Sequence, residues 1–136
     1  MSKHRVIPPI KAYMTTTPQT IGVEQTMAHA HDIMREHRLR HLPVLKASRL
    51  VGILSDRDLH MVETLRDVDP QTMRVEEAMT QDVYTVTPDA PLDEVVKQMA
   101  IHRYGSVVIV DHAHVVGIFT TVDACRAFAD MLAHDA

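Results

Sequence analysis

Hydrophobic and polar positions follow two regimes along the chain, and each regime occurs twice. Leu92, Val95, Val96 and Met99 fall at i, i+3, i+4 and i+7. That spacing predicts an amphipathic helix, and Pro91 suits its first turn. Met27, Ala30, Ile33, Met34 and His37 make a weaker stripe of the same kind. Continuous apolar runs follow each stripe. Leu42-Pro43-Val44-Leu45 and Leu50-Val51-Gly52-Ile53-Leu54 flank a turn at Lys46 to Arg49. Ser106 to Val110 and Val115 to Phe119 flank a turn at Asp111 to His114. Runs of this length predict buried strands. A second helix is expected from near Ser55 and from near Thr120. Short helical pieces are expected at Ile10 to Met14 and Val75 to Met79, and extended segments at Thr20-Ile21 and Val83 to Val86. Met61 to Arg74 reads as a connector, with Asp69-Pro70 as its turn signal. Residues 1–9 read as a loose arm.

The two regimes are one repeat. Displacing the chain by 65 positions lays Met14-Thr15 on Met79-Thr80, and Thr20 on Thr85. It also lays Met34 on Met99, His37-Arg38 on His102-Arg103, Val51-Gly52-Ile53 on Val116-Gly117-Ile118, and Asp58 on Asp123. This makes ten identities in 46 ungapped pairs, where about three are expected by chance at a typical residue frequency near 6%. Repeats of about 60 residues bury too little surface to be stable singly, so the two are expected to share one core about a pseudo-two-fold axis.

Composition narrows the partners. The net charge is −4, and the pI of about 6.2 offers no general attraction to nucleic acid or an anionic membrane. Aromatic residues are 4% with no Trp, so stacking platforms for single-stranded nucleic acid are scarce. No apolar run approaches a membrane span, and the N-terminus has no apolar signal core. With the single cysteine Cys125, expected to be buried, the chain reads as cytoplasmic. His29-Ala30-His31 does not suggest a metal site, because positions i and i+2 of a helix point about 200° apart. No Gly-x-Ser-x-Gly, no Gly-rich phosphate loop and only four glycines are present, so no catalytic residues are assigned.

Met14-Thr15 with Pro18, His41-Leu42-Pro43-Val44, and Leu50-Val51-Gly52-Ile53-Leu54-Ser55-Asp56-Arg57-Asp58-Leu59 resemble the CBS domain family. So do Met79-Thr80, Ser106-Val107-Val108-Ile109, and Val116-Gly117-Ile118-Phe119-Thr120-Thr121-Val122-Asp123. The resemblance covers roughly residues 8–134. It implies an α/β (α+β) fold of two β-α-β-β-α repeats packed through their sheets, with 8–65 as the first repeat and 66–136 as connector and second repeat. It implies a stand-alone regulatory module that forms a homodimer and acts on a regulated protein. Clefts between the repeats would bind AMP, ADP, ATP or S-adenosylmethionine, with no obligatory cofactor.

Two segments read Gly-Ile-hydrophobic-[Ser/Thr]-x-x-Asp, ending at Asp58 and Asp123. A carboxylate accepts hydrogen bonds from both hydroxyls of a ribose, and a helix start meets phosphate oxygens. The resemblance assigns these roles to Asp58 and Asp123, and to Ser55 and Thr120. The same spacing also suits a helix capping box, which needs no ligand. The resemblance further implies adenine contacts at Thr20, Ile21 and Thr85, apolar walls from the strands near Leu42-Pro43-Val44 and Val107-Val108-Ile109, and a further ligand contact at Ser106. Phosphate charge would come from Arg40, His41 and Arg57, with Arg38, Arg103 and Arg126 as further cations. Arg38 and Arg103 equally suit helix C-termini. A second reading remains open: a dimerising interaction module that holds no nucleotide.

Overall fold

In the computed structural model, which describes residues 6–135, the repeat is reproduced element by element. β2 (Ile21–Gly22), α1 (Met27–His37), β3 (His41–Lys46), β4 (Arg49–Ser55) and α2 (Asp56–Glu63) form the first series, preceded by β1 (Thr15–Thr16). β5 (Thr85–Val86), α3 (Leu92–His102), β6 (Ser106–Asp111), β7 (His114–Thr120) and α4 (Thr121–Asp135) form the second. Three-residue 3-10 turns at Ile10–Ala12 and Val75–Glu77 stand where the short helical pieces are expected.

The compact units are cut differently from the sequence repeats. One unit is Pro18–Val83, called here the Asp58 unit. The other, the Asp123 unit, joins the residues before Pro18 to those from Tyr84 onward. Each therefore contains the leading segment of the opposite repeat. Pro8 and Pro9, expected in a loose arm, are tied down in the Asp123 unit. Leu92 N–H donates to the Pro8 carbonyl at 3.0 Å, and Ile10 N–H donates to Ala90 at 2.8 Å. Residues 1–5 of that arm lie outside the described residues.

The Asp58 unit has a three-stranded sheet in the order β2-β3-β4. Its core includes Ile21, Met27, Met34, Leu42, Val44, Leu54 and Val75. The Asp123 unit has the order β1-β7-β6-β5, over a core of Ile10, Leu92, Val95, Val107, Ile109 and Phe119. In each, one face of the helical stripe is buried, as the spacing predicts. Thr26 caps α1 by accepting from His29 N–H at 3.1 Å.

Several expectations change in detail. Arg38 and Arg103 take left-handed conformations at the C-caps of α1 and α3, with φ of 56° and 59°. Their amides close the last helical turns on Met34 and Met99, so their role is capping. Both hairpins turn through two residues of positive φ, Ala47-Ser48 and His112-Ala113, as a type I′ turn requires. Cys125 is exposed on α4 rather than buried. The expected strand start at Thr20 falls one residue early, for a reason found at Pro43 below.

One close contact recurs in both units. Gly52 lies against Met79, and an added Cβ would stand 2.5 Å from its sulfur and 3.0 Å from the Thr80 carbonyl. Gly117 lies against Met14 in the same way, at 2.5 Å from the sulfur. Ile53 and Thr80 exchange backbone hydrogen bonds of 2.9 Å beside the first contact. Gly52→Ala and Gly117→Ala are therefore expected to lower unfolding free energy by about 1–3 kcal/mol. Denaturant titration of each variant checks this, and unchanged midpoints would show that the methionines yield freely.

Candidate functional site

The antiparallel pairing of β3 and β4 sets His41 opposite Ser55. Ser55 ends β4 and caps α2. Asp58 N–H donates to Ser55 Oγ at 3.2 Å, and Ser55 N–H donates to Asp58 Oδ2 at 2.8 Å. The Ser55 hydroxyl donates to the same Oδ2 at 3.0 Å. The capping reading is thus realised, and the Ser55 proton is committed to Asp58. Asp58 is half-buried, and its Oδ1 accepts no hydrogen bond among the described residues. That oxygen keeps two acceptor sites.

The cations around this turn are unequal. Arg40 and Arg57 are exposed, and neither is in an ion pair among the described residues. The Arg40 carbonyl accepts Asp56 N–H at 2.9 Å. His41 is half-buried. Burial holds its pKa below the ordinary 6.5; Asp56 and Asp58 oppose that shift and Arg40 adds to it. Burial therefore favours the neutral ring, against the cationic role expected from sequence.

Ile21, Pro43 and Val107 are buried, so they present almost no surface to a ligand. In the Asp123 unit, Val108 N–H donates to the Tyr84 carbonyl at 3.0 Å just before β5. The position equivalent to Val108 is Pro43, which has no N–H. This is why β2 starts at Ile21 while β5 starts at Thr85. It leaves the Gln19 carbonyl, equivalent to that of Tyr84, without this donor, and half-buried Thr20 outside the strand. Sequence reasoning missed Gln19, because a backbone acceptor has no side-chain signature. The proline at the facing register was the available signal.

Thr120 and Asp123 repeat the first turn with different surroundings. Thr120 N–H and Oγ1 donate to Asp123 Oδ2 at 2.9 and 3.3 Å. Arg126 approaches Oδ1 at 3.2 Å, and the Thr15 hydroxyl lies 3.5 Å from it. Asp123 is 2% exposed. Ser106 is half-buried opposite Thr120, and Thr85 is exposed. An open hollow of about 580 Å³ flanks Arg126, lined also by Tyr13, Met14 and Asp130. A smaller one, about 230 Å³, is lined in the Asp58 unit by Met27, His31, Leu59 and Glu63, not by Ser55 or Asp58. His31 is 3.0 Å from Glu63 there. No cluster of three or more His, Cys, Asp or Glu among the described residues is arranged to hold a metal ion. No helix among them is long and apolar enough to cross a membrane.

Two β-α-β-β-α units, each closed by a Ser/Thr-x-x-Asp turn at the start of its last helix, define a tandem-repeat α/β module. The chain belongs to the CBS domain family: the CBS domain model matches residues 10–62 and 75–130. It is 32% identical over 114 residues to the CBS domain-containing protein YhcV of Bacillus subtilis, covering 84% of this chain and 81% of that protein. It is 31% identical over 107 residues to Hypoxic response protein 1 of Mycobacterium tuberculosis, covering 78% and 75%. Its fold matches a CBS domain pair solved in complex with 5′-methylthioadenosine and S-adenosyl-L-methionine. That match has a TM-score of 0.83 and 29% identity, over 93% of this chain and 99% of the other.

The depressed pKa of His41 has a consequence for stability. Below 6.5 the unfolded chain binds a proton that the folded His41 resists, so stability falls as pH drops from that value toward the lower folded pKa. His41→Gln should flatten this part of the profile, read as denaturation midpoints between pH 7.5 and pH 5. An identical slope in the variant would place the titration elsewhere.

Proposed function

We propose that this chain is a non-catalytic sensor that binds an adenosine-containing ligand at a Ser/Thr-x-x-Asp turn and passes the binding state to a regulated protein. The observation that carries this reading is Asp58. Its Oδ2 is held by the helix cap while its Oδ1 stays open, which suits acceptance of two ribose hydroxyls. The Gln19 carbonyl, lacking a donor from Pro43, suits an adenine amine. Arg40 and Arg57 supply exposed charge for phosphate or carboxylate groups. The adenosine-type ligands of the related domain pair support the ligand class. AMP, ADP, ATP and S-adenosylmethionine all fit this chemistry. Binding would act by shifting the population of two arrangements, by as much as the ligand's affinity differs between them.

The capping box complicates an alanine test, since Asp58→Ala removes its reciprocal half, the bond from Ser55 N–H, along with the ligand acceptor. Asp58→Asn keeps an oxygen for the cap and places an NH2 donor at the open position. Wild-type protein at about a hundredfold excess of ligand over Kd should gain about 2.7 kcal/mol of stability. Asp58→Asn should lose that gain while its ligand-free Tm changes little. Thermal shift with AMP, ATP and S-adenosylmethionine checks both, and a full gain in the variant would remove Asp58 from the site.

We also propose self-association through α4, which exposes Phe128 and Leu132, one helical turn apart, at 62% and 54%. Apolar groups this exposed on one helix mark an association surface. Phe128→Glu is expected to convert the assembly to single chains in sedimentation velocity. A wild type that is already monomeric would overturn this part of the reading.

A further inference from the structure

The two turns share one motif but not one state. Four acceptor sites are available on each carboxylate. At Asp123, Thr120 fills Oδ2 twice, while Arg126 and Thr15 lie against Oδ1 at 3.2 and 3.5 Å. At Asp58, Ser55 fills Oδ2 twice, and Oδ1 has no partner among the described residues. The position equivalent to Arg126 is Met61, which carries no charge and is 62% exposed. The counterpart of Thr15 is Thr80, which makes its backbone bridge to Ile53 but no hydrogen bond to Asp58 among the described residues. A second difference points the same way. The Tyr84 carbonyl is occupied by Val108 N–H, whereas the Gln19 carbonyl faces a proline.

We infer that the turns are unequal: the Asp58 turn takes the adenosine-containing ligand, and Arg126 closes the Asp123 turn by occupying the oxygen a ribose would use. This rests on the ligand reading above and adds to it which turn fills and which residue decides. The Arg126 guanidinium is already ion-paired with the carboxylate at 3.2 Å, so neutral ribose hydroxyls must displace a charged partner from Oδ1. Its side chain is 63% exposed. It can therefore be replaced without opening a cavity, and its removal leaves the two Thr120 hydrogen bonds to Asp123 Oδ2 in place. Arg126→Met copies into the Asp123 turn the residue found at the equivalent place beside Asp58.

The test is calorimetric titration of ligand-free protein with AMP, ATP and S-adenosylmethionine in turn, with thermal shift as a second readout. Wild type should bind one equivalent per chain. Asp123→Asn should leave that affinity within about twofold, and Asp58→Asn should weaken it by more than about tenfold. Arg126→Met should gain a second, weaker equivalent. Two equivalents in wild type, a loss of affinity in Asp123→Asn, or a single equivalent in Arg126→Met would overturn the closure by Arg126 while leaving the sensor reading standing. No heat and no Tm rise in wild type and in Arg126→Met, with any of the three probes, would overturn the sensor reading and this assignment with it.

Discussion

Each hairpin leaves room, at one glycine, for a methionine that the sequence assigns to the other repeat. Met79 lies on Gly52 and Met14 on Gly117, at a distance no Cβ would tolerate without movement. The contact fixes more than one side chain. It brings Thr80 into backbone pairing with Ile53 and Thr15 into pairing with Ile118. It accompanies the full burial of Val75 and Ile10 in the two cores. A 60-residue repeat has too little apolar surface to close a core alone. Exchanging the leading segments gives each unit an added backbone pairing beside its hairpin and one more fully buried side chain, Val75 or Ile10.

The strand-to-helix turns show how one local motif acquires two chemical states. Sequence spacing places a hydroxyl three residues before a carboxylate, and in either copy the carboxylate accepts the N–H and the hydroxyl of that residue at the helix start. What remains on the carboxylate is decided by neighbours that the motif does not contain. Arg126 lies one turn further along α4, and Thr15 arrives from 108 positions away in the chain. In the Asp58 unit an uncharged Met61 stands in the first role, and among the described residues one oxygen is left open. Electrostatic capacity is therefore set outside the signature by which the site is recognised.

Pro43 and His41 make a similar point within one strand. Pro43 withdraws a backbone donor, so β2 starts later than β5 and the Gln19 carbonyl lacks the donor that meets Tyr84. His41 is basic by residue type, yet burial makes the neutral ring the favoured form. Both effects depend on the pairing register of β3, in which His41 faces Ser55 and Pro43 faces Ile53. A residue's identity does not state its desolvation or which backbone group it faces.

The sequence by itself determined the repeat, its 65-residue period, the order of helices and strands apart from the edge strand β1, and the two Ser/Thr-x-x-Asp turns. These follow from local periodicity and short-range spacing, which survive in one dimension. Ser55, Asp58, Thr120 and Asp123 were legible for the same reason, as were the stripes that bury Met27, Ala30 and Met34, or Leu92, Val95 and Met99. Only the tertiary structure decided that the leading segments exchange, that Ile21, Pro43 and Val107 are interior, that Cys125 is exposed, and that Asp123 is enclosed while Asp58 keeps an open oxygen. Burial and hydrogen-bond occupancy are sums over neighbours brought together by folding, and residues far apart in the chain contribute to those sums as much as adjacent ones.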